Sequence, residues 1–456
     1  MAATPGAASQ RGQAVIYGLA VLAFGVGVLY FVQRTGTLVE QKIRLVDTAD
    51  AAAYSAAVLD ARVLNFDAYT NRAMLADSVS IGQLVSLSSW LDYASHLPDV
   101  QSRFLAEVGN PVKYPAMEAP LSVATGLART SSQTQQLLAG LRRQEDTEVH
   151  EILMLAQVEA LATLPLQRQQ TMDAVAGASG YAPGALRLQW LPGTPPLGML
   201  QFIQRDAGAQ RQRFADMVLG AVDGESFNTA RNWLMPATYD DCPTAELTAR
   251  RDMLVRRGGT NLLSLDEWRA VDTLSDHVWV PAGPEDLLCD LPLELPGATG
   301  LQDLAAQPTS FDADPTHYGA SELFNPLATS EAQLLGMDSS NSSYRFQGIP
   351  AVYALSDAQR KEQDPRLRLV LMASTAPAAG RPSQVPQPWA DSYSAQAADG
   401  RMVAVSAAEV YFDPPAAPGS SGAGLPNLFQ PYWRAHLVAS PTGVREAQAL
   451  QGVQLP

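Results

Sequence analysis

The chain has 456 residues, 46% hydrophobic and 17% charged, with a formal net charge of −15; this suits a folded protein of roughly two or three domains. The negative charge argues against a nucleic-acid surface, which needs a basic field facing the phosphates. Two isolated cysteines, Cys242 and Cys289, are too few for a structural zinc site, which takes four closely spaced ligands.

Residues 1–13 read as a short cytoplasmic tail. Residues 14–32, "AVIYGLAVLAFGVGVLYFV", carry no charge and would span about 28 Å as a helix, close to one hydrocarbon core. Tyr17 and Tyr30 sit near the two ends, where amphipathic rings favour the interface. The run is too long for the apolar part of a cleaved signal peptide, and "QRTGTLVEQ" after it lacks a small-x-small pattern. The expectation is a single uncleaved anchor rather than a buried core helix. Arg11 on one side against Arg34, Lys42 and Arg44 on the other leaves the orientation nearly balanced, leaning against export.

Residues 33–97 read as a long Ala-rich membrane-proximal helix. No proline interrupts Thr37 to Leu97, Pro98 ends the stretch, and helix formers dominate its first half. A bend or break is expected near Gly36 or Gly82. Ala49, Ala53, Ala57 and Ala61 recur every four residues and so form one ridge, flanked by Tyr54, Val58 and Leu59. Side chains this small let another backbone approach closely. The ridge faces either the chain's own later helices or an external helix.

Residues 98–235 keep a helical pattern, with "GASGYAPGALRLQWLPGTPPLG" as a loop or short strand. Residues 236–342 read as mixed and loop-rich, with "DEWRAVDTLSDHVWVP" as the best ordered piece. Residues 343–456 read as mainly β, from "SYRFQGIPAVYAL", "RLRLVLMAS", "RMVAVSAAEVYF" and "YWRAHLVAS". The expected fold class is therefore α+β: a transmembrane helix continuing into a long helix and helical region, then a mainly antiparallel β region.

The N-terminal residues resemble a known family. Arg11 and Gly12, the apolar span, Gln41, Ala49 to Ala53, and Ala56 with Ala57 match the start of TadG-like proteins of the Tad (Flp) pilus system. "LNFDAYTNRAM" (Leu64 to Met74), "AEVYF" (Ala408 to Phe412) and "PYWRAHL" (Pro431 to Leu437) resemble a subgroup of these proteins. The specific part covers about residues 11–75. The resemblance implies a single-pass bacterial inner-membrane protein with a periplasmic C-terminal region, working with pilin-like or other membrane proteins of the machine. It does not imply prepilin cleavage, because the fifth residue after Gly12 is Tyr17 where that cut needs Glu. An exported chain with two cysteines is expected to pair them, as Cys242–Cys289, the alternative being two buried thiols.

Catalytic and metal motifs are weak. "DSSNS" (Asp338 to Ser342) fits the D-x-S-x-S start of a von Willebrand A domain, where Asp338, Ser340 and Ser342 would ligate Mg²⁺. No buried apolar strand precedes it and no βα alternation follows, so a polar turn is the expectation. The five histidines form no H-E-x-x-H pair, and no G-x-S-x-G elbow or phosphate loop occurs. Asp240 and Asp241 read as a solvated turn rather than as acid–base carboxylates. The expected function is non-enzymatic, without cofactor or metal. The alternatives are a membrane-anchored periplasmic hydrolase or a metal-dependent adhesive module.

Overall fold

The structure is a computed structural model and describes residues 13–97, 102–191, 198–223, 225–242, 244, 250–305, 325–339, 346–375, 401–415 and 425–450. Helix α1 runs without interruption from Gln13 to His96, 84 residues, or about 125 Å at the usual rise. No break occurs at Gly36 or Gly82. Gly36 has open space around it, and one exposed glycine costs only about 1 kcal/mol against alanine. Gly82 is a seat rather than a hinge: a Cβ there would lie 2.9 Å from Trp268 Cη2, so the missing side chain lets the buried indole lie against the helix.

The first third of α1 stands free. Its most apolar window near the N-terminus is long enough to cross a membrane, and none of it is covered by the rest of the chain. Burial begins at Leu45 and then recurs along one broad face.

Further helices follow: α2 (Ser102–Val108), α3 (Glu118–Ala128), α4 (Ser131–Arg143), a π-helical turn (Gln144–Val149) and α5 (His150–Ala178). Then come β1 (Leu186–Trp190), α6 (Gly198–Phe202), β2 (Ile203–Asp206), α7 (Gln212–Val222), β3 (Trp233–Pro236), β4 (Met253–Ser264), β5 (Glu267–Val280) and β6 (Leu291–Ala305). A helix at Pro326–Ser339 packs on β6. The C-terminal part holds β7 (Val352–Leu355), β8 (Leu367–Thr375), β9 (Val403–Phe412), β10 (Trp433–Val438) and a helix at Pro441–Leu450.

The strands form three antiparallel sheets, ordered β1-β8-β9-β10, β2-β7 and β3-β4-β5-β6. The fold is α+β, with α1 as a spine. The first sheet packs on its middle, about residues 45–65, and the third on its C-terminal end.

Two regional expectations need correction. In the span 98–235, β1 lies where a loop or short strand is expected, but β2 and most of β3 also fall in it, so it is less helical than read. The span 236–342 is not loop-rich through its centre: β4, β5 and β6 are the longest strands among the described residues. Their alternation is hidden because Arg256, Thr260, Asp272, Ser275 and Asp276 are all buried. Such polar positions are tolerated inside when they are hydrogen-bonded. In the last quarter β7 leaves the other three strands and pairs with β2.

Candidate functional site

The alanine ridge is fully enclosed by its own chain. Ala49, Ala53 and Ala57 are 0% exposed and Ala61 is 5% exposed. Ala53, Ala57 and Ala61 share a core with Leu164 and Met172 of α5, Leu369 and Leu371 of β8, and Val410 of β9. Ala49 packs in a second core with Leu45, Ala373, Met402 and Ala404. The ridge therefore meets mainly a sheet, with α5 alongside, where later helices or an external helix were expected. Small side chains suit this place, because they let a twisted sheet lie close against a helix backbone. Tyr54 stays exposed, whereas Val58 and Leu59 are half-buried flanks.

Polar keys fix α5 antiparallel to α1. Arg168 Nε donates to Asp60 Oδ1 at 2.5 Å, and both side chains are buried. Gln157 donates to Thr70 Oγ1 (2.6 Å) and Asn71 Oδ1 (2.8 Å). His150 Nε2 lies 2.7 Å from Asp77 Oδ2. Burial pushes Asp60 up to about 7 despite the opposing pull of Arg168, and burial alone pushes Asp67 up to about 8. None of these pairs is a local signal, although Asp60, Asp67 and Asp77 do recur on the buried face of an otherwise apolar helix.

A second set of keys binds α1 to the distal sheet. Arg231 Nε and Nη2 grip the two oxygens of Asp272 at 2.9 Å each, and Nη1 donates to Ser86 Oγ on α1 at 3.0 Å. Arg256 Nη2 adds a bond to Asp272 Oδ1 at 2.7 Å, and Ser89 Oγ one to Oδ2 at 2.8 Å.

Cys242 and Cys289 are joined in a disulfide with Cα atoms 6.1 Å apart, closing a sequence separation of 47. A loop of this length is stabilised by about 2–4 kcal/mol through the unfolded chain. Cys242→Ser with Cys289→Ser should lower the unfolding free energy by that amount, measured by denaturant titration without reductant. An unchanged midpoint would show that the bond adds nothing to stability.

The acidic pair beside Cys242 lies in a partly exposed bend, as expected, and its side chains also make structural contacts. Asp240 Oδ1 accepts the Asp252 N–H at 2.9 Å. Asp241 joins Glu107 and Asp252 around the buried Lys113 ammonium, at 3.1, 2.8 and 3.2 Å respectively. His96 contacts Thr299 O and His277 contacts Asn325 Oδ1, both at 2.9 Å; His317 lies outside the described residues. So do Ser340 and Ser342 of "DSSNS", while Asp338 falls near the end of the helix at Pro326–Ser339. Among the described residues no group of three or more His, Cys, Asp or Glu side chains could hold a metal ion.

One cleft of about 590 Å³ opens between the start of α5 and the segment 347–351, with His150, Thr147, Arg205 and Leu155 in its wall. Its hydroxyl, Thr147 Oγ1, donates to Arg143 O at 2.6 Å, and the His150 imidazole faces Asp77 and Asp146. The geometry joins helices; it does not set a nucleophile against a base. No family model, no curated protein and no solved structure matches the chain.

Proposed function

We propose that the chain is a non-enzymatic, single-pass component of the bacterial inner membrane, serving assembly of a Tad (Flp) pilus or a related secretion machine. Its C-terminal region lies in the periplasm as a scaffold. The observation that carries this reading is the division of α1: an exposed apolar third long enough for a bilayer, continuous with a segment buried in the folded part. Such a helix ties a rigid body to a membrane at a fixed height. The family-like residues at Arg11 to Met74 supply the machine.

The alanine ridge is filled by the chain itself, so pilin-like or other membrane partners meet the exposed segment of α1 and the outer surfaces instead. Lipid covers the span at residues 14–32. We expect a periplasm-active phosphatase fused to the C-terminus to be active, and a cytoplasm-active reporter there to be silent. The opposite pattern overturns the topology. In cells carrying the machine, exchanging residues 14–32 for an unrelated span should abolish co-purification with its membrane proteins while the chain stays folded. Unchanged co-purification would remove the partner role of the anchor.

A further inference from the structure

Asp67 of α1 is fully buried, and among the described residues neither of its carboxyl oxygens meets a hydrogen-bond donor. The donors around it are committed elsewhere. Gln157 of α5 gives its amide to Thr70 Oγ1 and Asn71 Oδ1. Asn71 gives its own to Tyr353 O of β7 and to Leu428 O, both at 2.7 Å. The Thr70 hydroxyl turns back to Phe66 O at 2.9 Å. The notch where α1, α5 and β7 meet is thus closed by amides that leave the acid out.

The charges nearby do not offset it. On α1, Asp60 is taken by Arg168 of α5 and Asp77 by His150 of α5. Glu151 and Glu159 of α5 are exposed. Tyr353 of β7 has its phenol pushed up by burial, with Asp67 adding to the shift and Arg205 of β2 opposing it. The segment Leu425 to Gln430 brings no ionisable side chain. A neutral acid in such a place leaves one idle hydroxyl, whereas a carboxylate leaves a lone buried charge, which is far more costly.

We propose that Asp67 is a proton-operated latch on the α1–α5 seam: as the neutral acid it lets α5 close on α1, and as the carboxylate it forces the seam open. Burial pushes its pKa from 3.8 up to about 8. The sign follows. The folded value lies above the unfolded one, so the closed seam has its full stability in acid and loses it as pH rises through about 8. Asp60, pushed up to about 7, shifts in the same sense, but its carboxylate keeps Arg168 as a partner, so its share of the loss is smaller and ends about one pH unit lower.

The test is amide hydrogen exchange on the full chain in detergent micelles, corrected for intrinsic rates, from about pH 6 to about pH 9. Protection of α5 should fall by about tenfold or more relative to β5 in the wild type. Asp67→Asn, neutral and of the same shape, should hold that protection within about twofold above about pH 7, leaving only the smaller fall that Asp60 causes below it. Should Asp67→Asn fail to fold, Asp67→Ala must likewise lose the pH dependence above about pH 7. If wild-type α5 and β5 keep the same ratio throughout, or if the neutral variants lose α5 protection as the wild type does, the latch is overturned.

Discussion

Replacing Ala53 and Ala57 together by leucine should lower the unfolding free energy by about 2–6 kcal/mol. Both are 0% exposed and lie against Leu369, Leu371, Leu164 and Met172. Overpacking a filled interior costs about 1–3 kcal/mol per site, and neighbours on one ridge couple, so the pair need not add simply. Leucine is itself a good helix former, so lost propensity contributes almost nothing. Ala51, exposed on the same turns, provides the control: Ala51→Leu should stay within about 0.5 kcal/mol of wild type. Denaturant unfolding in micelles reads the difference. Equal midpoints for the double variant and Ala51→Leu would mean that the sheet does not press on the ridge. A double variant that is stable yet fails to assemble would instead place an external helix there.

Arg231→Ala should cost about 3–5 kcal/mol, the penalty for breaking a buried ion pair from one side. The guanidinium holds Asp272 on β5, Ser86 on α1, Thr260 and Gly259 O on β4, and Phe227 O. Asp272 is 0% exposed, and without Arg231 its remaining cation is Arg256. Arg231→Lys should recover little, because an ammonium cannot reproduce a planar fork that serves two carboxylate oxygens. The distal sheet should lose exchange protection first, while β8 and β9 keep theirs. A variant within about 0.5 kcal/mol of wild type would show Arg256 to be the sufficient partner of Asp272.

The legible parts of the chain were those whose physics is local. The free anchor follows from one uncharged run, and the ridge follows from alanines four apart. β8, β9 and β10 show themselves through β-branched and aromatic residues bounded by turn-rich segments. What stayed hidden depends on distant pairing. Asp60 meets Arg168 across 108 positions, so neither residue looks buried in its own neighbourhood. Arg256 makes the inward face of β4 read as polar and therefore as loop, whereas β5 already stood out as an ordered piece. Gly82 shows the same limit from the other side. In isolation it is a weak helix residue; against Trp268 it is the one residue type that fits.

The unbroken run of α1 has an azimuthal consequence. A helix turns about 100° and rises about 1.5 Å per residue. Between Val32, where the apolar run ends, and Lys42, where the side chain first reaches Val403 O, nothing but helix connects the free apolar segment and the domain. One residue added there would swing the whole folded body about 100° around its stalk relative to the apolar segment. Seven added residues would restore the bearing to within about 20° while lifting the body by about 10 Å. Compass direction and altitude are therefore separable quantities in this molecule, both written into the count of residues in one short exposed stretch.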